Sequence, residues 1–309
     1  MKIGITYDLK SDYLKKGFSD QDIAELDNES TIDHIEEALQ KLGHKTERIG
    51  HLENLMQKLL NHKKWDLVFN ICEGMYGSGR EAQVPALLDA FQIPYTFSDP
   101  LVLALTLNKA MTKRVINDSR IRLCRHVFSG ISTPKFCIIR NEYDFNLTNY
   151  LEYPLFVKPN SEGSGKGINI NSKVTNSKEL IDVCNSIWLT LPLCELIAEE
   201  YLPGKEFTVG IIGTGDDSKA LGCMQVNFNS DEKFYSYNMK INYEENIEYT
   251  LAKKEISDKV CELALESWKL LGCRDAGRVD IRLDRYGEPN FIEVNPLAEI
   301  GRASCRERV

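Results

Sequence analysis

Two acidic residues near the end of the chain, Asp280 and Glu293, have the type and spacing that metal chemistry requires. They lie in two segments that alternate apolar and polar residues, and residues 284–288 between them have the composition of a turn. Alternate residues of a strand share a face, so a hairpin that buries its apolar residues on one side must pair Ile281 with Ile292. The same register predicts that Asp280 lies directly opposite Glu293.

The polar face of this hairpin also carries Arg278 and Asn295, which the register places opposite each other. Two carboxylates across a strand pair repel each other, and a bound cation removes that repulsion. Oxygen ligands from Asp280, Glu293 and Asn295, without histidine or cysteine, favour Mg²⁺, an ion often shared with the phosphates of a substrate. The alternative is a solvated hairpin face on which Arg278 bridges the two acids.

A second candidate site begins where an apolar strand, Leu155–Lys158, ends in a lysine and a glycine-rich loop follows. Glycines in residues 160–167 let the backbone approach a phosphate closely, while Ser164 and Lys166 add a hydroxyl donor and a positive charge. The spacing excludes a P-loop, because GxxxxGK followed by Ser or Thr requires a glycine where Asn160 stands.

A third segment, Glu199–Gly204, ends a predicted strand and begins a turn. Such a break exposes backbone groups that can read the edge of an adenine, and Glu206 just beyond it is placed to hold ribose hydroxyls. Charged residues at a strand end are ordinarily only solvated. The nucleotide interpretation is favoured because these residues follow, along the chain, a strand that ends in a lysine and a glycine-rich loop.

The composition excludes several classes of protein. The chain has 309 residues, 42% of them hydrophobic and 27% charged, which is typical of a globular protein. The net charge of -8, with no long basic run, argues against a nucleic-acid partner. The sequence has no apolar run long enough to span a membrane. The nine cysteines are scattered without a CxxC pair, which predicts reduced thiols in a cytoplasmic protein.

The order of predicted elements divides the chain into parts. Strands alternate with helices over residues 1–105, which predicts a parallel α/β domain, and an α+β order follows. We predict a central lobe over residues 106–200 and a C-terminal lobe over residues 201–298. Residues 299–309 lack a pattern and resemble a translated sequencing adapter, so we interpret them as a non-native tail on a truncated chain.

Taken together, these residues resemble the ATP-grasp superfamily, and most closely its D-alanine–D-alanine ligase group. Each motif alone is weak, but their order along nearly the whole chain to Ala298 is specific. The motifs are Phe69–Asn70 before a glycine loop, Ile93–Thr96, Asn108–Lys113, Val157–Pro159, Glu162–Ser164, Glu206–Val209, Gly277–Asp280 and Glu293–Asn295. The fold class implied is α/β plus α+β: an ATP-grasp fold with an N-terminal parallel α/β (pre-ATP-grasp) domain, truncated at its C-terminus.

The resemblance implies ATP and Mg²⁺ as cofactors and assigns residues to them. The nucleotide-binding residues would be Lys109, Lys158, Glu162, Gly163, Ser164, Glu199, Glu200, Tyr201, Leu202 and Glu206. Asp280, Glu293 and Asn295 would hold Mg²⁺. The implied catalytic residues are Lys240, which approaches the γ-phosphate, Arg278, which steadies a tetrahedral intermediate, and Ser164 with Glu29, which help to shape the amino-acid site.

In this family a substrate carboxylate takes the γ-phosphate, and an amine attacks the resulting acyl phosphate. Three departures concern the substrate: Glu29 is a loose match to the family glutamate, Ile241 replaces a tyrosine, and Glu73 stands in place of a histidine. Residues 119–129 look like an insertion. The functions left open are a D-alanine–D-alanine ligase-like enzyme, a ligase for another amino-acid or small-acid pair, and a nucleotide-binding protein that has lost catalysis. The resemblance implies amino-acid substrates and allows a homodimer, while the lack of a long apolar run predicts no membrane partner.

Overall fold

The structure, a computed structural model, describes residues 1–118, 131–228 and 247–297. The chain divides into two compact units. Of the described residues, the first contains Met1–Ala104, Arg274–Ala276 and residues 296–297, and the second contains those between Leu105 and Cys273 and between Gly277 and Asn295. Within the described ranges, no helix combines the length and apolar character needed to cross a membrane. The predicted lobe boundaries at residues 105 and 200 stay predictions.

The first unit is built on a parallel sheet, as the alternation of strands and helices predicts. Its strands are β1 (Lys2–Thr6), β2 (Lys45–Gly50) and β3 (Leu67–Asn70), in the order β2-β1-β3. Its helices are α1 (Lys10–Lys15), α2 (Glu29–Lys41), α3 (Leu52–Leu60) and α4 (Gln83–Ala90), and α5 (Pro100–Leu107) runs on into the second unit. Buried aliphatic side chains of the strands and helices form its core, as the apolar residues of the parallel strands require.

The second unit begins with a helix and a four-stranded antiparallel sheet. The elements are α6 (Lys109–Asp118), β4 (Phe136–Ile139), β5 (Leu155–Pro159), β6 (Lys173–Val174), α7 (Ser177–Thr190) and β7 (Leu196–Glu200), with 3₁₀ helices at Glu142–Tyr150 and Ile170–Ser172. The strand order is β4-β7-β5-β6. The apolar face of α7 packs on the sheet, so that Leu180 and Ile187 share one core with Leu155 and Val157.

A five-stranded sheet completes the second unit. Its elements are β8 (Glu206–Ile212), β9 (Lys219–Phe228), β10 (Ile247–Leu251), α8 (Lys254–Leu271), β11 (Ala276–Leu283) and β12 (Pro289–Asn295), with a 3₁₀ turn at Gly215–Asp217. The strand order is β10-β9-β8-β11-β12.

Trp268 of α8 is fully buried against the start of the β11–β12 hairpin. A Cβ atom on Gly277 would lie 2.6 Å from the Trp268 ring and 2.5 Å from the backbone oxygen of Asn295. Only glycine allows this approach. The helix therefore packs directly beneath the strand residues that carry the predicted metal ligands.

Candidate nucleotide and metal site

The β11–β12 hairpin places the predicted metal ligands on one face. Asp280 pairs with Glu293, and Arg278 pairs with Asn295, as the alternation predicts. The Asp280 carboxylate accepts from Arg278 Nε at 3.1 and 3.2 Å and from Asn295 Nδ2 at 3.4 Å. Two acids and an amide oxygen therefore meet on one face of adjacent strands.

The predicted pairing of Ile281 with Ile292 is wrong, because the register shifts by one residue after Asp280. Ile281 pairs with Phe291 instead, and Phe291 is fully buried while Ile292 is only half-buried. The shift is a β-bulge, in which one strand carries an extra residue. It lets the larger Phe291 ring enter the core, since aromatic rings bury the most apolar area. The acid pair lies before the bulge and is unaffected.

One buried glutamate of the second unit joins two lysines. The Glu199 carboxylate lies 2.7 Å from Lys158 Nζ and 3.1 Å from Lys113 Nζ. All three side chains are almost completely buried. Two cations on one anion leave a positive charge in a protected site, which suits an incoming phosphate better than a neutral pair would.

Lys113 belongs to this cluster, although the sequence interpretation gave it no role. Its ammonium also donates to Thr133 Oγ1 at 2.9 Å and to the backbone oxygen of Phe291 at 3.4 Å. A usable signal was present: Lys109 and Lys113 are four residues apart and so share one face of α6. Two lysines on a buried helix face require nearby anions, and Glu199 supplies one.

Burial and neighbouring charge shift the pKa values of this cluster in opposite directions. Burial lowers the pKa of Lys113 to about 8, although Glu199 opposes the shift. For Lys158 burial also disfavours the charge, but Glu199 and Glu293 outweigh it and raise its pKa. For Glu199 burial favours the neutral acid, but Lys113 and Lys158 outweigh it and lower its pKa. Glu199 is therefore the fixed anion around which the lysines are arranged.

Lys109 connects the glycine-rich loop to the metal ligands. Its Nζ donates to the backbone oxygen of Glu162 at 2.6 Å and lies 3.5 Å from Glu293 Oε2. In the free chain the ammonium thus neutralises part of the acid pair. A phosphate and its cation would meet both a lysine and a carboxylate here.

The glycine-rich loop has the backbone conformation of an anion cradle. Ser164 and Gly165 are consecutive residues with positive φ values of 48° and 71°. Turns from Lys166 N to the oxygen of Gly163 and from Ile168 N to the oxygen of Gly165 hold the loop. Successive amides in such a turn can point at one anion. The Ser164 side chain is buried in this loop, and its predicted phosphate contact stays a prediction.

The segment predicted to read the adenine leaves the end of β7. Glu200 N donates to the oxygen of Lys135 and Tyr201 N donates to the oxygen of Pro154, both at 2.9 Å. These bonds fix the turn that brings the buried Leu202 toward β8. The Glu199 side chain is held by lysines and its backbone pairs with Phe136 and Phe156 within the sheet, so the predicted adenine contact of this residue stays a prediction.

Glu206, the predicted ribose ligand, is the first residue of β8 and pairs with Arg282 of β11 at 2.9 Å. Its pKa is raised to about 7, first by burial and then by the charges of Asp280 and Glu293, against the opposing effect of Arg282. Asp280 and Glu293 are therefore close enough to Glu206 for their charges to act on it, although burial is the larger cause.

Two predicted residues are not among the described residues of the second unit. Lys240 lies outside the described residues, so its role stays a prediction. Glu29 belongs to the first unit, where it begins α2, is exposed, and pairs with Arg48 at 2.6 Å.

The donor set fits Mg²⁺ rather than a metal that prefers nitrogen or sulfur. Over the described ranges, no three His, Cys, Asp or Glu side chains form a metal-binding group. Asp280, Glu293 and Asn295 offer two acids and one amide, too few oxygens to cage a cation alone. Mg²⁺ commonly completes its coordination shell with water and substrate phosphate. Lys109, which lies beside Glu293, could bind the same phosphate.

Comparisons with known proteins show which family the chain belongs to. Residues 123–305 match the family model described as D-ala D-ala ligase C-terminus. The D-alanine–D-alanine ligase of Aquifex aeolicus is 31% identical over 265 residues, which cover 85% of this chain and 82% of that protein. A crystal structure of the D-alanine–D-alanine ligase from Bacillus anthracis superimposes with a TM-score of 0.70 at 23% identity, covering 96% of this chain and 86% of that one.

A second crystal structure of the Bacillus anthracis enzyme, complexed with ATP, gives a TM-score of 0.64 at 22% identity with the same coverage. At such identities the structures show the ATP-grasp fold, while the family match and the Aquifex relative carry the classification. This chain belongs to the D-alanine–D-alanine ligase family of ATP-grasp enzymes, which use ATP with Mg²⁺.

Proposed function

We propose that this protein is an ATP- and Mg²⁺-dependent ligase that joins two amino acids, with D-alanine as the first substrate to test. The γ-phosphate of ATP passes to the carboxylate of the first amino acid, giving an acyl phosphate and ADP. The amine of the second amino acid attacks the acyl carbon, and phosphate leaves as the peptide bond forms. A dipeptide of this kind would serve peptidoglycan synthesis in the cytoplasm.

The observation that carries this proposal is the convergence of two charge systems within one unit. Lys109 touches both the backbone of the glycine-rich loop and Glu293, which supports a phosphate site next to the metal site. Phosphoryl transfer needs charge neutralisation and alignment more than covalent help from the protein. Buried lysines beside an Asp–Glu pair supply both requirements.

Each group has a role that its chemistry supports. Lys109 and Lys158 would neutralise phosphate charge, while Asp280, Glu293 and Asn295 would hold Mg²⁺, which when bound shields the transferring phosphate. Arg278 is more exposed than these groups and lies beside Asp280 at 3.1 Å. Its guanidinium is suited to stabilise the oxyanion that forms when the amine attacks.

A different substrate pair is the second candidate. Glu29 is tied to Arg48 at 2.6 Å, and Arg48 also holds Asp33 and Glu36. Because Glu29 is already paired with Arg48, which also binds two other acids, Glu29 is less suited to bind the amino group of a substrate. Together with Ile241 and Glu73, which replace the family tyrosine and histidine, this favours a test of other amino acids beside D-alanine.

Trapping the activated carboxylate tests the proposal without knowledge of the second substrate. The protein is incubated with ATP, Mg²⁺, hydroxylamine and single D- or L-amino acids, and hydroxamate and ADP are measured. Equal amounts of both products with at least one amino acid support a ligase and identify its acid substrate. Nucleotide binding without hydroxamate or ADP across the whole panel supports the alternative of a binding protein that has lost catalysis.

A matched pair of variants controls the assay. Asp280→Asn removes a proposed metal ligand and should abolish hydroxamate formation. Glu288→Gln neutralises an exposed acid in the turn of the same hairpin, where it pairs with Lys259 at 3.2 Å, and should leave the rate unchanged. The homodimer that the family resemblance allows is tested separately, by the molar mass in solution.

A further inference from the structure

Arg282 occupies an unusual position for an arginine, because it is almost completely buried in the middle of the second unit. It lies on β11, two residues after Asp280, and therefore on the same face as the predicted metal ligand. The sequence motifs assign it no role. A buried guanidinium must be matched by acceptors, and those acceptors are informative.

The guanidinium contacts two of the residues proposed to surround the nucleoside. Arg282 Nη1 donates to Glu206 Oε2 at 2.9 Å, and Nη2 donates to the hydroxyl of Tyr201 at 3.0 Å. The guanidinium carbon also lies 5.1 Å from the centre of the Tyr201 ring. Arg282 thus joins the five-stranded sheet to the segment that leaves the four-stranded sheet.

The two contacts define different parts of a nucleoside site. Tyr201 lies in the segment that would read the adenine, and Glu206 would hold the ribose hydroxyls. A carboxylate side chain can rotate unless a fixed donor holds it in one orientation. The planar guanidinium offers two donors in fixed directions, which a lysine ammonium does not.

We propose that Arg282 is a positioning residue for nucleoside recognition, which holds Glu206 and Tyr201 so that the site selects a ribonucleotide over a deoxynucleotide. This inference rests on the proposed function, since it requires Glu206 to bind the ribose. Arg282 acts through Glu206 and Tyr201, and it does not itself take part in phosphoryl transfer. The selectivity arises because a fixed carboxylate accepts both ribose hydroxyls, whereas a mobile one loses its alignment.

The test measures the dissociation constants of ATP, 2′-deoxy-ATP and 3′-deoxy-ATP with Mg²⁺ and no amino acid, by titration calorimetry on the full chain. We expect the wild type to bind ATP about tenfold or more tightly than either deoxynucleotide, the value of a lost hydrogen bond to a charged group. In Arg282→Met this preference should fall below about threefold, and Arg282→Lys should restore it only in part.

Arg285 provides a matched control. It lies in the turn of the same hairpin and pairs with Glu152 at 3.5 Å, but both side chains are exposed. Arg285→Met should keep the full ribose preference. A general loosening of the hairpin would weaken all three nucleotides together and would leave their ratio unchanged.

Two further variants keep the inference testable if Arg282→Met fails to fold. Tyr201→Phe removes only one hydroxyl contact and should reduce the preference in part. Glu206→Gln tests the underlying assignment and should abolish the preference. Full preference in both Arg282→Lys and Tyr201→Phe, with loss in Glu206→Gln, overturns the role of Arg282 alone. Equal wild-type affinities for the three nucleotides, or full preference in Glu206→Gln, overturn the ribose assignment and the inference with it.

Discussion

Replacing Lys113 with methionine tests whether the lysine cluster around Glu199 is built as the structure indicates. The substitution keeps the length and the apolar stem of the side chain but removes the ammonium. Lys113 is completely buried, with Glu199 at 3.1 Å, Thr133 at 2.9 Å and the oxygen of Phe291 at 3.4 Å. The change therefore removes one partner of a buried ion pair and the donor for two further acceptors.

The magnitude follows from what the variant leaves behind. Breaking a buried ion pair from one side costs about 3–5 kcal/mol, because the remaining charge stays buried. Here Glu199 keeps Lys158 at 2.7 Å, so the lower end of that range applies. We expect the free energy of unfolding to fall by about 3 kcal/mol. For a unit of this size the unfolding temperature should fall by roughly 6–12 °C.

Urea unfolding followed by circular dichroism measures this loss, with Arg114→Met as the control. Arg114 is the next residue on α6, and its guanidinium donates to the sulfur of Met111 at 3.3 Å. Its replacement should change the stability by no more than about 0.5 kcal/mol. A loss below about 1 kcal/mol for Lys113→Met would show that the Glu199 cluster does not depend on this lysine.

Three other predictions concern the metal and nucleotide residues. Because the pKa of Glu206 is raised to about 7 from 4.5, chiefly by burial, its neutral form stabilises the fold below pH 4.5 and this contribution is lost as the pH rises to 7. Relative to Glu206→Gln, the wild type should lose about 3 kcal/mol of unfolding free energy across that interval in urea titrations. Gly277→Ala should cost roughly 1–3 kcal/mol by the same method and weaken Mg²⁺ binding, because the new methyl group displaces Asn295. Asp280→Asn and Glu293→Gln should each abolish Mg²⁺-dependent ADP release while the unfolding temperature without metal stays the same or rises; wild-type release would contradict the metal assignment.

Alternation along the strands is the part of the sequence that predicted structure best. The residues that face the site at Asp280 and Glu293 follow directly from the apolar residues beside them. The pairing beyond this point did not follow, because a bulge inserts Ile292 and gives Phe291 the core position. A prediction from periodicity assumes that paired strands have equal numbers of residues. It therefore cannot locate a single extra residue in one strand.

Ion pairs between residues far apart in the sequence were the second feature that the sequence did not predict. Sequence motifs gave Lys158 and Glu199 separate roles, one on phosphate and one on adenine. Folding places them 2.7 Å apart, because β5 and β7 are neighbours in one sheet. Arg282 and Glu206 meet for the same kind of reason, across β11 and β8. Such pairs depend on strand order, which local patterns do not contain.

We propose that buried lysines and the Asp280–Glu293 pair form one Mg²⁺·nucleotide site. Calorimetric titration of the protein with a non-hydrolysable ATP analogue, with Mg²⁺ and then with EDTA, tests it most directly. We predict tight binding that depends on Mg²⁺ in the wild type and a much smaller effect of Mg²⁺ in Glu293→Gln. Binding of equal strength with and without Mg²⁺ in the wild type, or an unchanged Mg²⁺ effect in the variant, would contradict the claim.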